Sequence, residues 1–398
     1  MQTPPAIPHR SEAIRAYQER GGRIAAVLPI HYPRALLRAF DLLPVEVWGP
    51  PQVDVSYGAA HLQPYVCSIV RNALSFLQTG GLDVTDVIIV PHACDSLQGL
   101  GSILIDFVHP NQPVIPLYLP RGRRASDTQF LAAEFRSLHR RLEEITNRSP
   151  SNAELMTSIR REETADEWLA QLHQRRGQLP LTDVQLYRLI RAREYLPAEI
   201  FSESARATLA LTSPPPPGPV RSSFLGNGGS GPTLWPPSLV GEGLGERWHK
   251  GIPIILSGIV PEPMSLFESV AEMGGLVVAD DFACCGRRLY PRGSSDDPFQ
   301  HLAENILNAP PDSTRGHSIQ ERLDHLIRLT RTSGAKGIVF YDVKFCEPEL
   351  FDLPILRKGL QAAGIPSATV EVDIGDLLSH QTLTRLEAFL EMIGHGWR

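Results

Sequence analysis

Five cysteines, at positions 67, 94, 284, 285 and 346, are the residues whose chemistry asks first for an explanation. They are odd in number and far apart, whereas a secreted disulfide framework would be shorter and denser in cysteine. In a reducing compartment the choices are buried inert thiols, a catalytic thiol or metal ligands. Spacing alone names no metal, because the sequence has no C-x-x-C and no C-x-x-H pair. Position says more. Cys94 follows the strand-like run VIIV and precedes a helical pattern, and Cys346 follows GIVFY in the same way. Cys67 opens the helix that starts at Val66, and Cys284 and Cys285 follow LVVAD. In open α/β sheets ligands bind outside the carboxyl ends of the strands. Helix N-termini favour thiolate over thiol and stabilise negative charge. The plain alternative is packing, since free cysteine is among the most buried residue types.

The elements that must position these thiols are legible from hydrophobic periodicity. In the first part, Arg23 to Ile30, Leu43 to Val47, Asp83 to Val90 and Pro113 to Leu119 read as strands. Between them lie helical patterns at Arg34 to Phe40, Val66 to Leu77 and, capped by Ser96, toward Phe107. A helical section follows. Asp127 to Ile145 is apolar mostly on one face, Ser151 with Glu154 forms a capping-box pattern, and helical patterns continue through Trp168 to Gln174 and Leu181 to Ala192. The last part returns to strands at Ile252 to Leu256, Gly275 to Ala279, Gly337 to Tyr341 and Ala368 to Val372. Helices are expected at Met264 to Met273, Ile319 to Thr332, Leu353 to Ala363 and Thr382 to Ile393. The alternation predicts an α/β protein with two Rossmann- or flavodoxin-like parallel-sheet units joined by a helical section. The expected divisions are 1–125, 126–212, a Pro/Gly-rich flexible insertion at 213–247, and 248–398. The insertion holds a formal G-x-G-x-x-G at Gly226, Gly228 and Gly231. No strand precedes it and no amphipathic helix follows, so the context of a dinucleotide site is missing.

Composition narrows the function. The chain has 398 residues, 42% hydrophobic and 21% charged, a length that suggests two or three domains and a core needing no disulfide or metal for stability. A net charge of −6 argues against a nucleic-acid partner. The N-terminus has no apolar signal region, and the most apolar stretch, Ile252 to Val260, is about half a membrane span. The expectation is a cytoplasmic protein without membrane association. There is no G-x-x-x-x-G-K-[ST], so phosphate-loop ATP hydrolysis is not expected of this chain.

The residues around the cysteines carry a resemblance. QPYVCSIVRNAL (63–74), VIIVPHACDSL (87–97), VVADDFACCGRR (277–288) and VKFCEPELFDLPILRKGLQAAGIPSATVEVD (343–373) resemble, in order and separation, the 2-hydroxyacyl-CoA dehydratase / benzoyl-CoA reductase family. The opening LPIHYPRALLRAFDLLPVEVW and the section SNAELMTSIRREETADEWLAQL fit as well. The resemblance covers nearly everything except the first twenty residues and the insertion. It implies a [4Fe–4S] cluster in the cleft between the two units, held by Cys67, Cys94 and Cys346. Three thiolates leave one iron open to water, hydroxide or a substrate oxygen. It also implies an acyl-CoA substrate, a second homologous dehydratase subunit, and an ATP-dependent activator that supplies a low-potential electron. That electron makes a ketyl radical of the thioester, which expels the α-hydroxyl and acidifies the β-proton.

Other residues near the expected cleft are candidates. His92, Asp95 and Glu347 could serve in proton transfer, and Arg71, Arg287 and Lys344 could meet substrate. Against each stands a plainer reading: a paired arginine, a helix cap, or a group that merely supports a neighbouring ligand. Asp280 and Asp281 read as strand-end residues that cap the next helix. One of Cys284 and Cys285 could supply a fourth thiolate, which would close the open iron and favour electron relay over substrate binding. Ring reduction of the benzoyl-CoA reductase type, a non-catalytic iron–sulfur relay and a decayed paralogue are the competing readings.

Overall fold

The computed structural model describes residues 5–50, 52–212, 251–284 and 286–395. The expected insertion at 213–247, its glycine motif and Cys285 lie outside the described residues.

Eight strands form two four-stranded, all-parallel sheets. The first contains β1 (Arg23–Val27), β2 (Leu42–Glu46), β3 (Val87–His92) and β4 (Val114–Tyr118), in the order β2-β1-β3-β4. The second contains β5 (Ile252–Gly258), β6 (Gly275–Phe282), β7 (Gly337–Val343) and β8 (Ser367–Val372), in the order β6-β5-β7-β8. Both orders reverse beside the first strand of the unit, so each sheet has a switch point where the carboxyl ends open a crevice. The strands were legible because a parallel sheet covered on both faces needs near-continuous apolar runs.

Helices cover both faces. The N-terminal helix α1 (Arg10–Gln18) lies against β1, and the short α3 (Ser56–Ala59) against α4 (Ser68–Gln78). On the first sheet, α2 (Arg34–Ala39), α6 (Ala125–Thr146), α7 (Asn152–Gln174) and α11 (Pro298–Leu307) bury Leu36, Phe135, Ile159 and Ile306 against Ala25, Val27 and Ile89. The helix α11 comes from the C-terminal half of the chain yet packs into this first core. Ser151 and Glu154 form the expected capping box, with Glu154 Oε2 2.8 Å from the Ser151 amide. On the second sheet, α12 (Ile319–Ser333) and α13 (Glu347–Ala362) bury Leu323, Leu326, Leu356 and Leu360 against Ile338 and Phe340. The remaining faces of the two sheets share one continuous core. It joins Ile88 and Val90 of the first to Ile254, Leu256 and Val339 of the second, through α4, α8 (Asp183–Ala192), α9 (Ala198–Leu209), α10 (Ser265–Glu272) and α14 (His380–Gly394).

A buried ionic seam ties the halves together. At the end of β2, Glu46 accepts two hydrogen bonds from Arg288 at 2.5 and 2.7 Å, one from Arg34 at 2.9 Å, one from Tyr32 at 2.8 Å and one from Trp48 at 3.0 Å. Burial opposes its charge, but the guanidinium groups of Arg288 and Arg34 win and hold its pKa at about 2. Nearby, His31, four residues beyond β1, lies 3.2 Å from Asp312 and 3.1 Å from Tyr290.

Two acidic residues depart from expectation. Asp280 and Asp281 do not cap a helix. Both are buried inside β6. Asp280 binds Arg176 at 2.6 Å and Tyr187 at 2.7 Å, while Asp281 accepts from Ser257 at 3.1 Å and lies 3.5 Å from His325. These partners come from distant stretches of chain, which a strand-end pattern cannot reveal.

Candidate functional site

Three cysteines meet at the carboxyl ends of the sheets. Cys67 is the N-cap residue of α4, Cys94 of α5 (Asp95–Ile103) and Cys346 of α13. None of the three helices has a side-chain cap hydrogen bond, and at α4 and α5 first-turn amides face the sulfurs. The amides of Ile69 and Val70 donate toward the Cys67 thiol, and those of Ser96 and Leu97 toward Cys94. The Ser96 hydroxyl donates across to Cys67, bringing the starts of α4 and α5 together. This corrects the expected cap. Cys94, with an extended backbone, is the N-cap, and Ser96 sits inside the first turn, where its hydroxyl serves Cys67.

Electrostatic coupling links the three thiols. Burial pushes the Cys67 thiol up. Burial and then the Cys67 sulfur push Cys94 to about 12. Burial, then Cys67, Glu349 and Cys94, push Cys346 well above the ordinary thiol range. Cys94 therefore feels Cys67, and Cys346 feels both, although Cys67 and Cys94 come from the first unit and Cys346 from the second. Without a cation the site resists ionisation, and with one it offers three thiolates. Among the described residues no three His, Cys, Asp or Glu side chains converge to hold a single metal ion. A cubane is itself several ångströms across, so its ligands stand further apart than ligands of one ion. A sulfur-only donor set facing helix N-termini suits an anionic iron–sulfur cluster.

The other sequence candidates scatter. Arg71, one turn after Cys67, is paired with Asp373 at 3.0 Å, and the Ile374 amide donates to Ser68 Oγ at 3.2 Å, so the start of α4 is docked onto the loop after β8. The His92 ring packs edge-on against Tyr118 at 4.7 Å. Neither ring nitrogen has a hydrogen-bond partner, and burial lowers its pKa. Asp95 has a side chain 82% exposed, 3.9 Å from Arg121, and is the first residue of α5. Glu347 and Lys344 are exposed beside Cys346. Arg287 is fully buried and committed to Glu349 at 2.7 Å and to the Gly258 carbonyl. The expectation that Arg287 meets substrate gives way to a structural role, because its guanidinium is spent inside the fold.

Cys284 lies in the same buried core as Cys67 and Cys346 and faces the ionic seam. Its sulfur acts on Arg191, and it lines a cavity of about 60 Å³ with Glu46, Arg288 and Tyr290 along the ionic seam. One residue near the cysteines escaped the sequence reading. Asp342 is buried at the end of β7, and the signal available was an acid inside an apolar parallel strand, GIVFYDV.

Comparison with known proteins identifies the family. The family model described as 2-hydroxyglutaryl-CoA dehydratase, D-component, matches residues 29–393. The chain is 22% identical to the (R)-phenyllactyl-CoA dehydratase beta subunit of Clostridium sporogenes, over 94% of this chain and 93% of that protein. It is 24% identical to the beta subunit of lactoyl-CoA dehydratase from Anaerotignum propionicum, with coverage of 94% and 93%. It is 22% identical to a benzoyl-CoA reductase subunit of Thauera aromatica, with coverage of 86% and 84%. No helix among the described residues is long and apolar enough to cross a membrane. With two four-stranded parallel sheets and a family match over nearly its whole length, the chain belongs to the 2-hydroxyglutaryl-CoA dehydratase D-component family.

Proposed function

We propose that this chain is the iron–sulfur subunit of a 2-hydroxyacyl-CoA dehydratase-type enzyme, with a [4Fe–4S] cluster on Cys67, Cys94 and Cys346. The observation that carries the reading is the meeting of three buried or half-buried thiols, from both units, at three helix N-termini. When bound, such a cluster supplies one-electron chemistry and a Lewis-acidic iron, by which a CoA thioester becomes a ketyl radical able to lose its α-hydroxyl. The chain's residues do the holding. The amides of Ile69, Val70, Ser96 and Leu97 and the hydroxyl of Ser96 direct partial positive charge at the sulfurs. The shared core around Cys67 and Cys346 excludes water from beneath them. Arg71 with Asp373, and Ser68 with Ile374, fix the distance between the units at this point.

Two partners follow from the reading. The relatives are named as subunits, which supports a second homologous subunit. The sequence has no phosphate-loop motif, so the electron would come from a separate ATP-dependent activator. A benzoyl-CoA reductase-type role is the second reading, supported by the similarity to the Thauera aromatica protein. A non-catalytic electron relay is the third. The test is the spectrum of the reduced protein, alone and with its partner subunit, on adding acyl-CoA. A change with a 2-hydroxyacyl-CoA supports the dehydratase reading, and a change with benzoyl-CoA alone supports ring reduction. Silence toward both contradicts substrate binding at this cluster and leaves the relay.

A further inference from the structure

Asp312, His31 and Tyr290, from distant stretches of the chain, form one hydrogen-bonded line. His31 is 0% exposed, and both its ring nitrogens are engaged. Nε2 lies 3.2 Å from Asp312 Oδ2, and Nδ1 lies 3.1 Å from the Tyr290 hydroxyl. The direction of the line follows from its ends. Asp312 Oδ1 is taken by the amide and the hydroxyl of Thr314, at 2.7 and 2.6 Å. Asp312 is close enough to Arg287 for their charges to interact, which favours the carboxylate. A carboxylate only accepts, so His31 Nε2 carries the proton and Nδ1 is left as an acceptor. The Tyr290 hydroxyl therefore donates to Nδ1, and its oxygen receives Arg288 Nε at 3.3 Å. A carboxylate that orients an imidazole, which in turn takes the proton of a hydroxyl, is an arrangement that moves protons.

Tyr290 opens on the cavity of about 60 Å³ beside Cys284. The charged groups on its walls are paired, but their hydrogen bonding is incomplete. Arg34 Nη1, Arg193 Nη1 and Asn305 Oδ1 are buried and make no hydrogen bond within the protein. Glu162, ion-paired to Arg193 at 2.7 Å, makes none through either carboxyl oxygen. Buried polar groups rarely stay unbonded. Donors from two guanidinium groups and acceptors from an amide and a carboxylate, around one void, call for a guest that both accepts and donates. Water does so, and the volume suits about two to four molecules. A bare anion would meet Glu162, and a bare cation would meet the two arginines.

We propose that Tyr290, backed by His31 and Asp312, is a proton acceptor that serves a hydrated cavity behind the ionic seam. A hydronium in the cavity gives one proton to the tyrosine oxygen as the tyrosine's own proton passes to His31 Nδ1. The hydronium becomes water, the phenol is restored, and the imidazolium so formed is held by Asp312. The reverse sequence returns the proton. Neither His31 nor Asp312 lines the cavity, so Tyr290 is the link between them and the water. The inference does not depend on what the three cysteines at the other junction hold.

The test is heteronuclear NMR, in mildly alkaline solution, of protein labelled in its histidine rings, joined to a crystal structure that resolves water. His31 should be neutral, with its proton on Nε2 and with Nδ1 hydrogen-bonded. That Nε2 proton should exchange with solvent although the ring is buried. Tyr290→Phe should slow the exchange several-fold while the bond from His31 to Asp312 persists. Asn305→Leu, which takes an acceptor and space from the cavity, should slow it as well and leave the tautomer unchanged. The crystal should show ordered water bonded to Arg34, Arg193 and Asn305. A proton on Nδ1, a cavity without water, or an exchange rate unmoved by Tyr290→Phe would each overturn the proposal. If Tyr290→Phe does not fold, Asn305→Leu supplies the rate, and an unmoved rate there overturns the proposal equally.

Discussion

The ionic seam and the cysteine site both join the two halves of the molecule, and they do so by opposite means. At the seam every charge is answered, and Glu46 alone accepts five hydrogen bonds from Arg288, Arg34, Tyr32 and Trp48. At the cysteine site burial raises all three thiols, Cys67 raises Cys94, and Cys67 and Cys94 raise Cys346. On the proposed reading, the three sulfurs mark the place where the cluster binds.

The largest expected effect breaks the cysteine side. Cys67→Ser, Cys94→Ser or Cys346→Ser should each remove most of the iron from anaerobically purified protein, while Cys284→Ser, in the seam, should keep it. Iron analysis of the four variants reads this, and full retention in two of the first three would erase the distinction between the regions.

Breaking the seam should cost stability and not iron binding as such. Glu46→Gln leaves Arg288 and Arg34 buried with uncompensated charge, a loss of about 3–5 kcal/mol in urea unfolding. The pH dependence has a definite sign. Glu46 and Glu349 both titrate near 2 in the fold, against about 4.3 when unfolded. Their stabilisation is complete above that unfolded value and is lost as pH falls toward 2. Acid unfolding monitored by circular dichroism should show this loss, and its absence in Glu46→Gln would identify that carboxylate as a source.

A smaller effect sharpens the comparison at the edge of the cysteine site. Arg71 and Asp373 are each partly exposed, so Arg71→Ala should lower stability by no more than about 1 kcal/mol. A loss of several kcal/mol would make this pair a second pin like Glu46–Arg288. A large fall in acyl-CoA response with stability intact would instead return Arg71 to the substrate.

Much of this was legible in the sequence, and the exceptions have physical causes. All eight strands could be read because runs such as VIIV and GIVFY are apolar on both faces. The expected helix starts at Leu353 and leaves out the first turns of α13, where Pro348 looks like a break, although a proline in the first turn costs no hydrogen bond. The patterns before and after Ala165 proved to be one helix, α7, of 23 residues. Helix α11 starts on Asp297 and Pro298, a pair that marks a helix start, and α9 starts after Pro197. The cysteines stood out by their junctions, whereas the fates of Asp280, Asp281 and Arg287 depend on partners as much as about a hundred residues away, which no local pattern encodes. Asp342 was overlooked because a single acid in an apolar run looks like a strand edge until its neighbours are known.

The central claim is that the unanswered sulfurs hold a cluster. Iron and acid-labile sulfide, measured on protein isolated without oxygen and paired with an electron paramagnetic resonance spectrum after reduction, test it most directly. The account predicts about four irons and four sulfides per chain with the spectrum of a reduced [4Fe–4S] centre. Protein that is folded, soluble and free of iron after anaerobic reconstitution would contradict it.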